Sequence, residues 1–117
     1  PVTFEDLEQK HFEEWDSPLI PDGDAFCGFA ARHDDGSLAA LVVFYADEGD
    51  WWAALARRGV YPAKLHREIH RAMLAVKSVG GTIRAEFDPD VPRSREYLER
   101  LGFVPDGTER GYVKRWH

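Results

Sequence analysis

The chain is short of cysteine, of long apolar runs and of positive charge, and each shortage removes a class of protein. A single cysteine, Cys27, stands among 117 residues. No intramolecular disulfide can form, and a structural zinc site built on two or more thiolates is excluded. A lone free thiol fits a cytoplasmic chain. The longest apolar run, Leu38 to Ala46, falls well short of the ~20 residues that span a bilayer and suits a buried strand. No secretory segment is read at the start, and no repeat or low-complexity tract interrupts the pattern. Lys and Arg number 15 against 21 Asp and Glu, a formal net charge of -6. An acidic chain lacks the field that displaces counterions from phosphates, so broad nucleic-acid binding is excluded. A small local anion site is not.

What is present is enough for one packed domain. Hydrophobic residues make up 44% and aromatic residues 13% of the chain, and its length fits a single domain over 1–117. Thr3 caps an expected first helix carrying Phe4, Leu7, His11, Phe12 and Trp15 at helical spacing. Ala25 to Arg32, Leu38 to Tyr45 and Trp51 to Arg57 read as three antiparallel strands, joined at Asp35-Gly36 and around Gly49. Pro62 opens a helix to about Ser78, with Leu65, Ile69, Ala72, Met73 and Val76 as its apolar stripe. Thr82 to Phe87 is a strand, Pro92 to Leu101 a short helix stopped by Gly102, and the rest a hairpin. A helix joining the third and fourth strands is a crossover, so that pair should be parallel. The fold class is α/β (α+β): a mixed, mostly antiparallel sheet with helices packed on it.

Two segments carry a family resemblance. Arg57-Arg58-Gly59-Val60-Tyr61-Pro62-Ala63 lies between a strand and a long helix. Tyr97-Leu98-Glu99-Arg100-Leu101-Gly102-Phe103 closes a late helix before a hairpin. The first resembles the pyrophosphate loop Q/R-x-x-G-x-G/A of the GNAT superfamily of N-acetyltransferases, with Arg58 and Ala63 at its ends and Tyr61 in place of the middle glycine. The second resembles that family's F-Y-E-K-L-G-F helix end. The resemblance covers about the last two-thirds of the chain; the family's first strand is either missing, through N-terminal truncation, or unrecognised within 1–24. Small GNAT-like proteins of tailed phages have similar W/Y-L-x-x-L-G-F endings.

The resemblance implies acetyl-CoA as cosubstrate and an amine as acceptor. Arg57, Arg58, Gly59, Val60, Tyr61, Ala63 and Lys64 are the expected CoA-binding residues. Backbone N–H groups at a helix start, beside clustered Arg and Lys side chains, suit a pyrophosphate on physical grounds as well. Tyr97 is the candidate acid for the departing thiolate, although the family's tyrosine position holds Leu98. The amine must lose a proton, and Glu48 and Glu86 are candidate bases, with Asp50 and His33 behind them.

Other readings compete. His66 and His70 lie four apart on one helix, but the order is not H-E-x-x-H, no third ligand follows, and arginines flank the pair, so no metal is expected. Cys27 reads as a small buried strand residue. One of Trp51 and Trp52 is expected in the core, and the other in a cleft or a homodimer interface. Two functions follow: a CoA-dependent N-acyltransferase, or a catalytically degenerate GNAT-like phage or prophage accessory module that binds a partner.

Overall fold

The computed structural model describes residues 2–15, 26–47, 49–58, 63–90 and 92–115. Strands β1 (Thr3–Asp6), β2 (Phe26–Arg32), β3 (Leu38–Asp47), β4 (Asp50–Arg57), β5 (Thr82–Glu86), β6 (Val104–Pro105) and β7 (Gly111–Arg115) form one sheet in the order β1-β2-β3-β4-β5-β7-β6. Helices α1 (Gln9–Trp15), α2 (Ala63–Gly80) and α3 (Ser94–Arg100) accompany it. Among the described residues β4 and β5 alone pair in parallel, and the other pairings are antiparallel. The helix α2 supplies the crossover that a parallel pair demands. Among the described residues no helix is long and apolar enough to cross a membrane.

The start of the chain departs from expectation. Thr3 does not cap a helix: Thr3–Asp6 is an edge strand on β2, with Phe4 edge-on to Phe29 at 5.4 Å. A strand therefore stands within 1–24, ahead of α1. Helix α1 begins later, and its cap explains why. The Nδ1 of His11 accepts the Glu8 N–H at 2.9 Å, so a residue three places into the turn reaches back, as the Glu of a capping box does. Nδ1 is then the unprotonated nitrogen, and Nε2–H donates to Glu5 at 2.8 Å. Arg32 joins the same Glu5 oxygen at 3.0 Å and grips Glu14 with two nitrogens at 2.7 and 2.8 Å. His11 is fully buried yet satisfied on both nitrogens.

The sheet separates two apolar layers. Leu65, Ile69, Met73 and Val76 of α2, spaced for one helix face, are buried against Phe29, Val42, Phe44, Ile83 and Ala85. On the opposite face, Phe12 and Trp15 of α1 cover Ala30, Leu41 and Val43. Each fully buried Phe, Leu or Met contributes roughly 1.5–3 kcal/mol.

Helix α3 is shorter than the expected Pro92 to Leu101, because Arg93 adopts a left-handed conformation at φ 63° and the helix starts after it. Its end gives the Leu-Gly-Phe motif a physical meaning. The Phe103 N–H reaches the Leu98 carbonyl at 3.1 Å and the Gly102 N–H reaches Glu99 at 3.0 Å. That is a Schellman close, with Gly102 at φ 93° and Leu98 and Phe103 in the same apolar cluster. Lys114 seals it by donating to the Leu101 carbonyl at 2.7 Å.

Candidate functional site

The site arises where the sheet parts. β3 and β4 pair at eight register positions, from Ala40↔Arg57 to Asp47↔Asp50. β4 and β5 pair at two, Trp51↔Ile83 and Trp52↔Arg84, and then diverge. Arg84 fastens the vertex by donating to Asp50 at 3.1 Å. Beyond it a cleft of about 700 Å³ opens between Ala53–Arg57 on one wall and Ala85, Glu86, Asp88 and α3 on the other.

The direction of the β4 backbone groups follows from one hydrogen bond. The Arg58 N–H donates to the Ala39 carbonyl at 2.8 Å. Counting back in twos along the antiparallel ladder, Ala56, Ala54 and Trp52 also point to β3. The Ala53 N–H meets the Arg84 carbonyl at the last paired position, so it is Leu55 that turns its N–H and C=O toward the other edge, where β5 has moved away. These groups are positioned to bond a ligand in the cleft.

Side-chain alternation gives the cleft two chemistries. Ala53 and Leu55 pack on the α2 side, Ala54 and Ala56 on the α1 side. Phe44, Ile69, Met73, Leu101 and Phe103 line the α2 side. Trp15, Ala54 and Ala56 line the α1 side. Glu86 follows Ala85 and so belongs on the α1 side too.

The sequence-derived candidates separate on this frame. Glu86 is exposed on the cleft wall. Tyr97 lines the same cleft, with its hydroxyl buried and its pKa pushed up to about 12 by desolvation, against the opposing charges of Arg100 and Arg57. Tyr97 and Leu98 both border the cavity and both touch the α2-side core. Arg57 and Arg58 line the cleft. Arg58, though, lies over the Trp15 ring at 4.0 Å and donates to the Trp15 carbonyl at 3.0 Å, which engages its guanidinium on the α1 side. Ala63 and Lys64 open α2 and are exposed. Glu48, Gly59, Val60 and Tyr61 lie outside the described residues.

Three lining residues escaped the sequence reading: Asp88, Arg93 and Ser94. The Ser94 hydroxyl accepts the Asp88 N–H at 3.0 Å, and Asp88 accepts the Asp90 N–H at 2.9 Å. The signal was Asp88-Pro89-Asp90 itself, which reads as a turn and not as a cleft lip. His66 stacks edge-on against Tyr97 at 5.8 Å, and its Nε2 lies 3.2 Å from that of His70. Burial lowers the pKa of both imidazoles, aided by Arg100 for His66 and by His66 and Lys114 for His70. Among the described residues no three His, Cys, Asp or Glu side chains are grouped to hold a metal. Cys27, expected buried, is exposed near the start of β2, although it shares the strand face of the buried Phe29 and Ala31; desolvation raises its thiol pKa. Trp51 packs on the α2-side core, and Trp52, one residue on, is half-buried on the other face.

No protein-family model matches the chain, and no curated protein matches it by sequence. Solved structures do. The E. coli protein YhhK, described as an N-acetyltransferase and solved bound to coenzyme A, aligns over 99% of both chains with a TM-score of 0.64 and 19% identity. A GNAT-family acetyltransferase from Staphylococcus aureus Mu50 aligns over 98% of this chain and 99% of its own, with a TM-score of 0.62 and 10% identity. The ribosomal-protein-S5-alanine acetyltransferase of Vibrio fischeri aligns over 77% of this chain with a TM-score of 0.60 and 12% identity, and this chain spans 61% of its length. At these identities the likeness shows the fold, which is that of the GNAT acetyltransferases.

Proposed function

We propose that the protein is a CoA-dependent N-acyltransferase that moves an acyl group directly from a CoA thioester to an amine. The observation that carries this is the parting of β4 from β5, which leaves the backbone groups of Leu55 facing a cleft. The distance from Ala53 to Arg58 along an extended strand is ~17 Å, comparable with an extended pantetheine arm. The thioester end then lies at the vertex and the pyrophosphate at the strand's far end. There Arg57, Arg58, Gly59, Val60, Tyr61, Ala63 and Lys64 are the binding residues. The fold's occurrence in a CoA-bound neighbour supports the same reading.

A β4 N–H would hold the thioester carbonyl oxygen, where negative charge grows as the amine attacks. The carbon–nitrogen bond forms, the carbon–sulfur bond breaks, and the sulfur leaves as thiolate. Glu86, on the α1 side, is the proposed base for the amine proton; Glu48 is the alternative base. Tyr97 stays protonated at neutral pH and donates a hydrogen bond to the thiolate. At a pKa of about 12 it is too weak an acid to complete the transfer to a thiol of ordinary pKa ~8.5, so water finishes the protonation.

A second reading, a phage-type accessory module that binds without turnover, is supported by Leu98 at the family's tyrosine position. Calorimetry with acetyl-CoA and a thiol-release assay over an amine panel separate the two. Binding with turnover supports the enzyme, binding without turnover supports a degenerate module, and no binding defeats the acyltransferase reading. A homodimer through the Trp52 face belongs to either reading, and light scattering showing only monomer removes it.

A further inference from the structure

We propose that His66 is a positioning residue for acyl transfer: held in place by His70, it fixes the phenol of Tyr97 at the cleft. The inference rests on the acyltransferase reading and concerns a side chain that stands behind the cleft wall. Tyr97 is carried by α3, a helix of 7 residues. A side chain on so short a helix needs lateral support to keep one orientation, and α2 supplies it. The His66 ring lies edge-on to the Tyr97 ring, with centroids 5.8 Å apart and an interplanar angle of 84°. One turn further along α2, the His70 ring stands edge-on to His66 at 4.7 Å and 69°. Their Nε2 atoms are 3.2 Å apart. The rings thus run in series from His70 through His66 to Tyr97, which lines the cleft.

The arrangement suits one protonation state. A hydrogen bond between two Nε2 atoms needs an N–H on one and a lone pair on the other, which neutral rings provide. The remaining nitrogen of His66, Nδ1, is buried and meets no hydrogen-bond partner among the described residues. An imidazolium carries an N–H on both nitrogens. Protonating His66 would therefore bury an N–H without an acceptor, which is costly. Charge opposes it as well. Arg100 of α3 acts on His66, Lys114 of β7 on His70, and Arg100 and Arg57 on Tyr97. On α2 itself, Glu68 is paired with Arg71 at 3.0 Å, and Lys64 and Arg67 are exposed. Burial and the neighbouring cations hold both imidazoles below the ordinary 6.5. In acid the new N–H must find water, the ring leaves its place, and Tyr97 loses its support.

The test has two readouts, and the first needs no substrate. In protein with isotope-labelled tyrosines, the Tyr97 ring resonance is identified by its loss in Tyr97→Phe. It should shift between about pH 7.5 and about pH 5.5, and far less in His66→Phe. A resonance that stays still in the unmodified protein contradicts the coupling. The second readout is thiol release from acetyl-CoA with the amine that the panel identifies. His66→Ala should lower kcat about tenfold and leave KM for acetyl-CoA unchanged. His66→Phe restores a ring edge and should recover most of that loss at neutral pH. The kcat of the unmodified protein relative to His66→Phe, a ratio in which the amine's own titration cancels, should fall as pH drops below 6.5. In a Tyr97→Phe background His66→Ala should change turnover less than about twofold, because its effect passes through the phenol. An unchanged kcat in folded His66→Ala, or equal losses in both backgrounds, overturns the proposal and leaves the acyltransferase reading intact. No turnover with any amine overturns both.

Discussion

Along its β3 edge, β4 is paired from Asp50 to Arg57; along its β5 edge the pairing stops at Trp52. Past Trp52 the strand thus has one edge committed to the sheet and one that faces the cleft. The rest of the molecule divides in the same way. On the β1–β3 side, polar groups are closed on one another, as in the Glu5–His11–Arg32–Glu14 set. Around the cleft, alanines, a buried phenol and exposed carboxylates border open space. Stability should therefore respond to changes on the paired side, and function to changes at the cleft.

The largest expected effect is on the paired side. Phe12 is 1% exposed and edge-on to Phe26 at 5.4 Å. Phe12→Ala should cost about 3–5 kcal/mol, read by denaturant unfolding; a cost below about 1 kcal/mol would break the division. Tyr97→Phe tests the other side. It should lower acyl transfer by about 100-fold while leaving acyl-CoA affinity and melting temperature nearly unchanged. A drop in stability without a drop in turnover would make Tyr97 a structural residue.

Gly102→Ala sits between the two regions. At φ 93° any side chain is strained, and a Cβ would lie 2.7 Å from the Lys114 Nζ, a flexible group that can move. The expected cost is about 1–2 kcal/mol, measured by thermal melting. The smallest effects are in pH. His66 and His70 have folded pKa values below the ordinary 6.5, so the unfolded chain binds protons first and stability declines as pH falls below 6.5. Glu5 is lowered by hydrogen bonds from His11 and Arg32, and Glu14 by Arg32, from an ordinary 4.5. Their contribution is present above 4.5 and is lost as pH falls through their folded values. Melting temperature should decline in two stages, and His70→Gln should weaken the first alone. A single stage near 4.5 would show that the cleft histidines do not contribute.

Much of this was legible from residue pattern. The α2 stripe, the parallel β4–β5 pair and the Gly102 stop follow from helical spacing, crossover length and the conformational freedom of glycine. The first strand was not legible, because Phe4, Leu7 and Phe12 also fit a helical period. What decided it was His11 capping at Glu8, a side-chain bond with no pattern in sequence. At the site, Tyr97 was nameable from its place beside the Leu-Gly-Phe close and Glu86 by position alone, and both line the cleft. Asp88, Arg93 and Ser94 were not, because their role depends on how far β5 and α3 stand from β4. The engagement of Arg58 by Trp15, 43 residues away, was equally invisible.

The central claim is that the unpaired edge of β4 is a ligand site for the CoA thioester. Calorimetric titration with acetyl-CoA tests it most directly. One-to-one binding in the micromolar range is the predicted result, and no measurable heat at high micromolar ligand, with the protein folded, would contradict it.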